Sequence, residues 1–203
     1  MTLAPTQTGS EGRADKPGRL VVISGPSGSG KSTIVDRLLD PPRADRRRSI
    51  SMTTRPIRPG EVDGVNYFFV DRAEFEADRD LGAFLEWAEV HGHLYGTPAR
   101  HVEESLAGGV SIFLVIDVQG GMNVREKLPD ALLVFLHAPD PATLEARLRD
   151  RGTDSEGSIR LRLENARREV ALSDKYDAQI VNDDLDRAVA QLAAILDSHQ
   201  PGG

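Results

Sequence analysis

The feature that most constrains the fold is a glycine-rich segment near the start of the chain, which reads Gly25-Pro26-Ser27-Gly28-Ser29-Gly30-Lys31-Ser32. It fills the GxxxxGK[ST] pattern of a phosphate-binding loop, or P-loop, without a mismatch. Its glycines let backbone amides converge on phosphate oxygens, and the helix that such a loop opens adds a favourable dipole. Lys31 supplies a mobile positive charge, and Ser32 supplies a hydroxyl ligand for magnesium. The segment therefore predicts a site for a nucleoside triphosphate.

The residues on either side of this loop are of the kind that a P-loop needs. Residues 19–24, before the loop, form a short apolar run of the β-branched type that is typical of a buried parallel strand. Residues 32–39, after it, carry apolar side chains at helical spacing. Strand, loop and helix thus follow in the required order, which argues against a chance match to the pattern.

Length and composition limit the remaining choices. The chain has 203 residues, enough for one domain with a core of its own. Its net charge of −7 argues against nucleic acid as a partner, and the lack of cysteine excludes disulfides and thiolate metal sites.

We expect residues 1–18 to be a disordered tail and residues 199–203 to be a flexible one. No apolar stretch resembles a secretory signal or a membrane span, so we expect a cytoplasmic protein without a membrane partner. The sequence leaves the oligomeric state open.

Strand and helix patterns alternate along most of the chain, which indicates a parallel sheet with helices on both faces. The stretch from about 50 to 96 interrupts this alternation and is expected to form a small β-rich lobe, with strands at 49–52, 67–70 and 84–90. We expect the basic stretch from Arg43 to Arg48 to be a solvated connection. The charged segment 150–157 is expected to be part of a mobile lid.

Polar residues cluster in the lobe and at the predicted strand ends. Arg55 and Arg58 lie three apart in a proline-stiffened loop, where two guanidinium groups can grip one phosphate. The other notable segments are Glu86-Trp87, Tyr95-Gly96-Thr97, Ile116-Asp117-Val118-Gln119-Gly120, Arg151-Gly152-Thr153 and Ile180-Val181-Asn182-Asp183. Taken with the P-loop and with residues 54–61, these segments closely resemble the guanylate kinase family in order and spacing, over residues 19–198.

The resemblance implies an α/β P-loop fold in three layers, with a central parallel sheet, an inserted GMP-binding lobe at about 50–96 and a lid at about 147–162, all in one domain at 19–198. It implies phosphoryl transfer from ATP to GMP, and also to dGMP, giving GDP, with Mg²⁺ held by the ATP phosphates and Ser32. Matching positions assign ATP binding to Gly25, Pro26, Ser27, Gly28, Ser29, Gly30, Lys31, Ser32, Thr33 and Asn182. They assign GMP binding to Ser51, Arg55, Arg58, Tyr67, Glu86, Tyr95, Thr97 and Asp117, and catalysis to Lys31, Arg147, Arg151 and Arg162.

One residue departs from the family pattern, and two other functions stay open. Family members usually carry an acid two residues before the position of Asp117, where this chain has Val115. The first alternative is another small-molecule kinase on the same scaffold, such as one that phosphorylates a ribose bisphosphate, which would not need Glu86 and Thr97. The second is a non-catalytic binding module, which would not need Lys31 and Ser32.

Overall fold

A parallel sheet forms the centre of the computed structural model, which describes residues 18–90, 92–150 and 155–199. Its five strands are β1 (Leu20–Ser24), β2 (Arg46–Arg48), β7 (Ser111–Val115), β8 (Leu132–His137) and β9 (Ala178–Val181). They lie in the order β2-β7-β1-β8-β9, and every neighbouring pair is parallel. The predicted α/β class with a central parallel sheet is therefore confirmed.

Helices cover both faces of this sheet because side chains alternate along its buried strands. Leu20 and Val22 of β1 enter one apolar cluster, whereas Val21 and Ile23 enter the cluster on the opposite face. The helices are α1 (Lys31–Leu38), α2 (Arg72–Asp80), α3 (Ala99–Ala107), α4 (Val118–Lys127), α5 (Pro141–Asp150), α6 (Glu156–Val170) and α7 (Leu185–Ser198), with a 3₁₀ turn at Ser173–Lys175. Helices α3 and α4 pack on the first cluster, and α1 and α7 pack on the second.

A second, mixed sheet projects from the core, in the order β4-β3-β6-β5. Its strands are β3 (Met52–Thr53), β4 (Phe68–Phe69), β5 (Phe84–Val90) and β6 (His93–Pro98). Phe75 of α2 stacks on Phe84 with ring centroids 4.5 Å apart, and Leu94 completes a small apolar cluster of its own. The predicted lobe at about 50–96 holds all of this sheet except the last two residues of β6.

The expectation that the basic stretch at 43–48 is a solvated connection is wrong for its second half. Residues 46–48 form β2, the edge strand that pairs with residues 111–113 of β7. An edge strand has only one neighbour, so it can carry arginines that a central strand would have to bury. Arg47 donates to Ser105 Oγ and Arg48 donates to Asp36 Oδ1. The strand predicted at 49–52 is observed at Met52–Thr53 instead. Ser49 still hydrogen-bonds to β7, so only these two residues pair within the second sheet.

Parts of three predicted segments lie outside the described residues: 1–17 and 200–203 of the tails, and Arg151 with its neighbours 152–154 in the lid. Within the described ranges, no helix is both long and apolar enough to cross a lipid bilayer.

Candidate active site

A cleft of about 720 Å³ lies between the carboxyl ends of β1 and β7 and one face of the second sheet. Ligands of open α/β sheets bind at this edge. The predicted residues that line it are Gly25, Ser27, Gly28, Gly30, Lys31, Ser32, Thr33, Ser51, Arg55, Arg58, Tyr67, Glu86, Tyr95, Asp117 and Arg162. Those that do not are Pro26, Ser29, Thr97, Arg147 and Asn182. The fold thus brings both predicted nucleotide sets to one cleft.

The P-loop joins β1 to α1 through a backbone that only glycines adopt readily. Gly25, Gly28 and Gly30 have φ angles of 140°, 95° and 97°. Lys31, the first residue of α1, turns back over this loop, and its Nζ donates to the carbonyl oxygens of Gly25 at 2.6 Å and Pro26 at 2.9 Å. The ammonium group is therefore held directly above the loop.

Asn182 supports this loop from the end of β9. Its side chain is buried, and Nδ2 donates to the carbonyl oxygen of Ser29 at 2.7 Å. A Cβ atom on Gly30 would lie 2.2 Å from the same nitrogen, so the contact requires glycine there. The contact fixes the shape of the P-loop, and adenine recognition by Asn182 stays a prediction.

Two of the three predicted lid arginines are within the described ranges, and both approach the P-loop region. Arg162 of α6 donates from Nη1 to Ser27 Oγ at 3.0 Å. Arg147 of α5 donates from Nη2 to the carbonyl oxygen of Asn182 at 3.0 Å. Helices α5 and α6 therefore carry positive charge to the loop where ATP phosphates are expected.

Arg55 is held rigidly in the loop that follows β3. Its Nη2 donates to both carboxylate oxygens of Glu61, at 2.7 and 3.0 Å, and its Nη1 donates to the carbonyl of Pro56 at 2.7 Å. The guanidinium carbon lies 5.5 Å from the ring centroid of Tyr67 and 5.6 Å from that of Phe69, within cation–π range. Although burial acts in the other direction, the hydrogen bonds from Arg55 and from the Arg58 backbone hold the pKa of Glu61 below its usual value.

The other predicted phosphate ligands surround Arg55. Tyr67 and Tyr95 meet edge to face with centroids 6.0 Å apart, and burial raises the pKa of Tyr67, so its hydroxyl is a proton donor at neutral pH. Ser51 is half-buried and Arg58 is exposed, and both line this part of the cleft. Together these five side chains offer two cations and three hydroxyl groups to a single anion.

Glu86 and Thr97 form a buried pair across the hairpin of β5 and β6. The antiparallel register places them opposite each other, and Thr97 Oγ1 donates to Glu86 Oε1 at 2.6 Å. Burial raises the pKa of Glu86 to about 7 in spite of the Thr97 hydrogen bond, and the charge of Asp117 acts in the same direction as burial. The pair presents an oriented carboxyl group that is shielded from solvent. When ionised, this group only accepts hydrogen bonds, so it selects ligands that donate them.

Asp117 stands at the start of α4 and has a structural contact as well. Its Oδ1 accepts from the amide of Gly120 at 2.7 Å and so caps the helix. A Cβ atom on Gly120 would lie 2.8 Å from Glu86 Oε2, so this glycine lets α4 approach the buried carboxyl group. Asp117 is thus fixed close to the predicted base site.

Three charged residues at this site were not predicted from the sequence. Glu61 lies in the segment 54–61, in which only the two arginines were singled out as phosphate ligands. Lys127 donates to the carbonyl of Leu85, the neighbour of Glu86, at 2.6 Å. Glu169 of α6 lines the cleft, and its Oε2 is buried without a hydrogen-bond partner among the residues that the structure describes. Burial raises the pKa of Glu169, which Lys31 opposes and Asp117 reinforces. A lone glutamate on a mostly charged helix gives no sequence signal that separates it from a solvated one.

Val115, the departure from the family pattern, is half-buried at the end of β7 and lines the cleft beside Asp117. It also touches the core cluster under α1. The strand end therefore presents an apolar side chain to the P-loop side of the cleft.

Comparison with known proteins agrees with this geometry. The family model described as "Guanylate kinase" matches residues 17–199. A protein from Rubrobacter xylanophilus named guanylate kinase is 48% identical over 188 residues, which are 92% of this chain and 97% of that protein. One of the same name from Streptococcus pyogenes is 48% identical over 181 residues, covering 89% of this chain and 86% of its own. The crystal structure of guanylate kinase from Anaplasma phagocytophilum superimposes with a TM-score of 0.75 at 33% identity, over 92% of this chain and 88% of that one.

Proposed function

This chain belongs to the guanylate kinase family, and from that premise we propose that it transfers the terminal phosphoryl group of ATP to GMP, producing ADP and GDP. The observation that carries the proposal is the buried Glu86–Thr97 pair, of which Glu86 lines the same cleft as the P-loop and Thr97 holds its carboxyl group from behind. A ribose bisphosphate kinase would have no use for that pair. A binding module without catalysis would have no use for Lys31 and Ser32.

The P-loop is the proposed ATP end of the cleft. Its amides and the start of α1 favour the phosphate oxygens, and Lys31 exchanges the carbonyls of Gly25 and Pro26 for them. The lysine then follows the charge of the phosphoryl group as it moves toward the acceptor.

Magnesium fits the residues at this end because hard oxygen atoms surround the loop. We propose that Ser32 Oγ holds the ion together with the ATP phosphates. Ser32 lines the cleft, and from the residues that the structure describes its hydroxyl accepts one long bond of 3.4 Å, donated by Arg48, so an oxygen lone pair can serve a metal. When bound, the ion neutralises charge on the phosphates during transfer.

Guanine is the proposed ligand of the buried pair. The Glu86 carboxylate accepts hydrogen bonds from the N1 and N2 protons of guanine. These bonds replace the hydrogen bonds to water that the buried carboxylate has lost. Adenine carries an acceptor at N1, which would face the carboxylate and leave it unpaired. Thr97 and Asp117 orient this carboxyl group and complete the base site.

The GMP phosphate is proposed to bind Arg55, Arg58, Ser51, Tyr67 and Tyr95. The acceptor phosphate has a second pKa near 6, so it is largely a dianion at neutral pH and requires no general base. Every GMP contact proposed here goes to the base or to the phosphate, and none goes to the ribose 2′-hydroxyl group. We therefore expect dGMP to be an acceptor as well.

The arginines of the lid complete the proposed transfer. Arg147, Arg151 and Arg162 would stabilise the charge on the phosphoryl group while closure excludes water, which would otherwise hydrolyse ATP. Since the ATP that this reaction needs is available in the cytoplasm, we propose that the reaction takes place there.

An acceptor panel tests this function. ADP release from ATP and Mg²⁺ is measured with GMP, dGMP, AMP and UMP at equal concentrations. We expect rapid release with GMP and dGMP and release near background with AMP and UMP. Equal rates with AMP and GMP would contradict the proposal.

A further inference from the structure

The half-buried side chain of Glu169 has no place in the reaction described so far. The side chain projects from α6 into the cleft, and its Oε2 atom has no hydrogen-bond partner among the described residues. Leaving such an oxygen buried and unsatisfied is destabilising, and more so where the group is charged. Unsatisfied groups of this kind call for an explanation such as a bound ion or a water molecule.

The face of α6 that carries Glu169 also carries Arg162, seven residues earlier. Two helical turns separate them, about 10.5 Å along the axis. Ala166, between them, is buried against α5, which fixes the rotation of the helix. Arg162 reaches Ser27 of the P-loop, and Lys31 and Asp117 are the charged groups that act on Glu169. Glu169 thus faces the space between the P-loop lysine and the end of β7.

Few other acids are available at this place. Val115 brings no charge to the end of β7, and Asp117 uses one carboxylate oxygen to cap α4. Glu86 lies at the base site, where its Oε1 accepts from Thr97. Of the acids that line the cleft in the described part of the chain, Glu169 alone has a buried oxygen that accepts no hydrogen bond.

We propose that Glu169 is a positioning residue of the magnesium nucleotide site and accepts hydrogen bonds from the water shell of the ion that Ser32 holds. Mg²⁺ keeps several of its water molecules in proteins and binds through few direct carboxylate contacts. A carboxylate that orients such water typically contributes 10–100-fold to metal affinity. The inference rests on the proposed function, which supplies the nucleotide and the ion.

The test compares Glu169→Gln with the parent chain and with Glu164→Gln, a matched change at an exposed position of the same helix. Thermal unfolding is followed with ADP and a chelator, and with ADP and Mg²⁺. The increase in melting temperature caused by Mg²⁺ measures metal binding without catalysis. We expect Glu169→Gln to lose more than half of that increase, and Glu164→Gln to retain it. In the GMP kinase assay, Glu169→Gln should need roughly tenfold more Mg²⁺ for half-maximal velocity.

Stability without ligand separates this role from a structural one. Since Glu169→Gln replaces a desolvated acid by an amide of nearly the same shape, the unliganded variant should melt at or above the temperature of the parent. An unchanged Mg²⁺-dependent increase would overturn the inference. A fall of several degrees in the unliganded variant would also overturn it, because Glu169 would then be a structural partner of Lys31. Absence of GMP phosphorylation by the parent chain would contradict the proposed function, whereas an unchanged increase in the variant contradicts this inference alone.

Discussion

The P-loop and the small sheet hold their charged side chains in different ways. Lys31 donates to backbone carbonyls of its own loop, so it must change partners when phosphate arrives. In the small sheet, Arg55 is already paired with Glu61, and Glu86 is paired with Thr97. The P-loop is one continuous segment in which a single side chain carries the mobile charge, whereas the lobe divides recognition among several strands. Single changes should therefore be most severe in the P-loop and milder in the lobe.

The largest effect is expected for Lys31→Ala, which removes the mobile charge and no packing contact. We expect turnover to fall more than 100-fold, or about 3 kcal/mol of barrier stabilisation, with only a small change in melting temperature because Lys31 belongs to neither of the two large apolar clusters. Steady-state kinetics and thermal unfolding measure the two quantities, and Lys175→Ala, at an exposed position outside the cleft, is the control. A variant that keeps half of the parent rate would remove the distinction between loop and lobe.

Glu86→Gln should be the most severe change in the lobe. The amide cannot accept both guanine protons with a full charge, so kcat/KM for GMP should fall by about 1–3 kcal/mol while the KM for ATP stays unchanged. If ATP binding weakened and GMP kinetics did not change, Glu86 would belong to the other end of the cleft.

The same residue predicts a pH dependence of stability. Its pKa is about 7 in the folded protein and 4.5 in the unfolded chain, so the folded state binds the extra proton between these values. Through this group, the free energy of unfolding falls as the pH rises from about 4.5 to 7, and it stays lower above 7. Without GMP, Glu86→Gln should therefore melt a few degrees above the parent at pH 8, with a smaller gain at pH 5. An equal gain at both pH values would argue against a titrating Glu86.

A smaller effect is expected for Glu61→Gln, which weakens the clamp on Arg55 without touching GMP. The KM for GMP should rise about fivefold, corresponding to about 1 kcal/mol, with little change in kcat. The exposed Glu103→Gln serves as the control. A fall in kcat at constant KM would mean that Glu61 acts on the transfer step and not on the position of Arg55.

The smallest change in activity is expected for Val115→Asp, at the boundary between the two regions. Strand β7 ends at Val115 and Asp117 caps α4, but both residues line the cleft, so an added carboxylate would reach solvent or Mg²⁺. The fold should survive, with a shift of a few-fold in the Mg²⁺ or GMP dependence. Melting curves with and without GMP and Mg²⁺ provide the check. A large loss of thermal stability that ligands do not restore would place Val115 in the core, where an unpaired carboxylate costs several kcal/mol.

The sequence predicts the continuous parts of this molecule better than the parts assembled from distant segments. The P-loop needs only neighbouring residues, and the strand predicted at 84–90 has the same bounds as β5. The strand at Arg46–Arg48 was missed because its pairing depends on β7, far along the chain, and not on an apolar pattern of its own. Glu169 was missed because its position in the cleft follows from the packing of α6 on α5, which local spacing does not reveal.

Binding of GMP and AMP in the absence of ATP tests most directly whether the lobe is built for guanine before the P-loop is filled. Calorimetric titration of the parent chain at pH 8, where Glu86 is largely ionised, gives both dissociation constants. The buried Glu86–Thr97 pair predicts that GMP binds at least ~100-fold more tightly than AMP, since adenine leaves the carboxylate unpaired. Equal affinities for the two nucleotides would contradict the account.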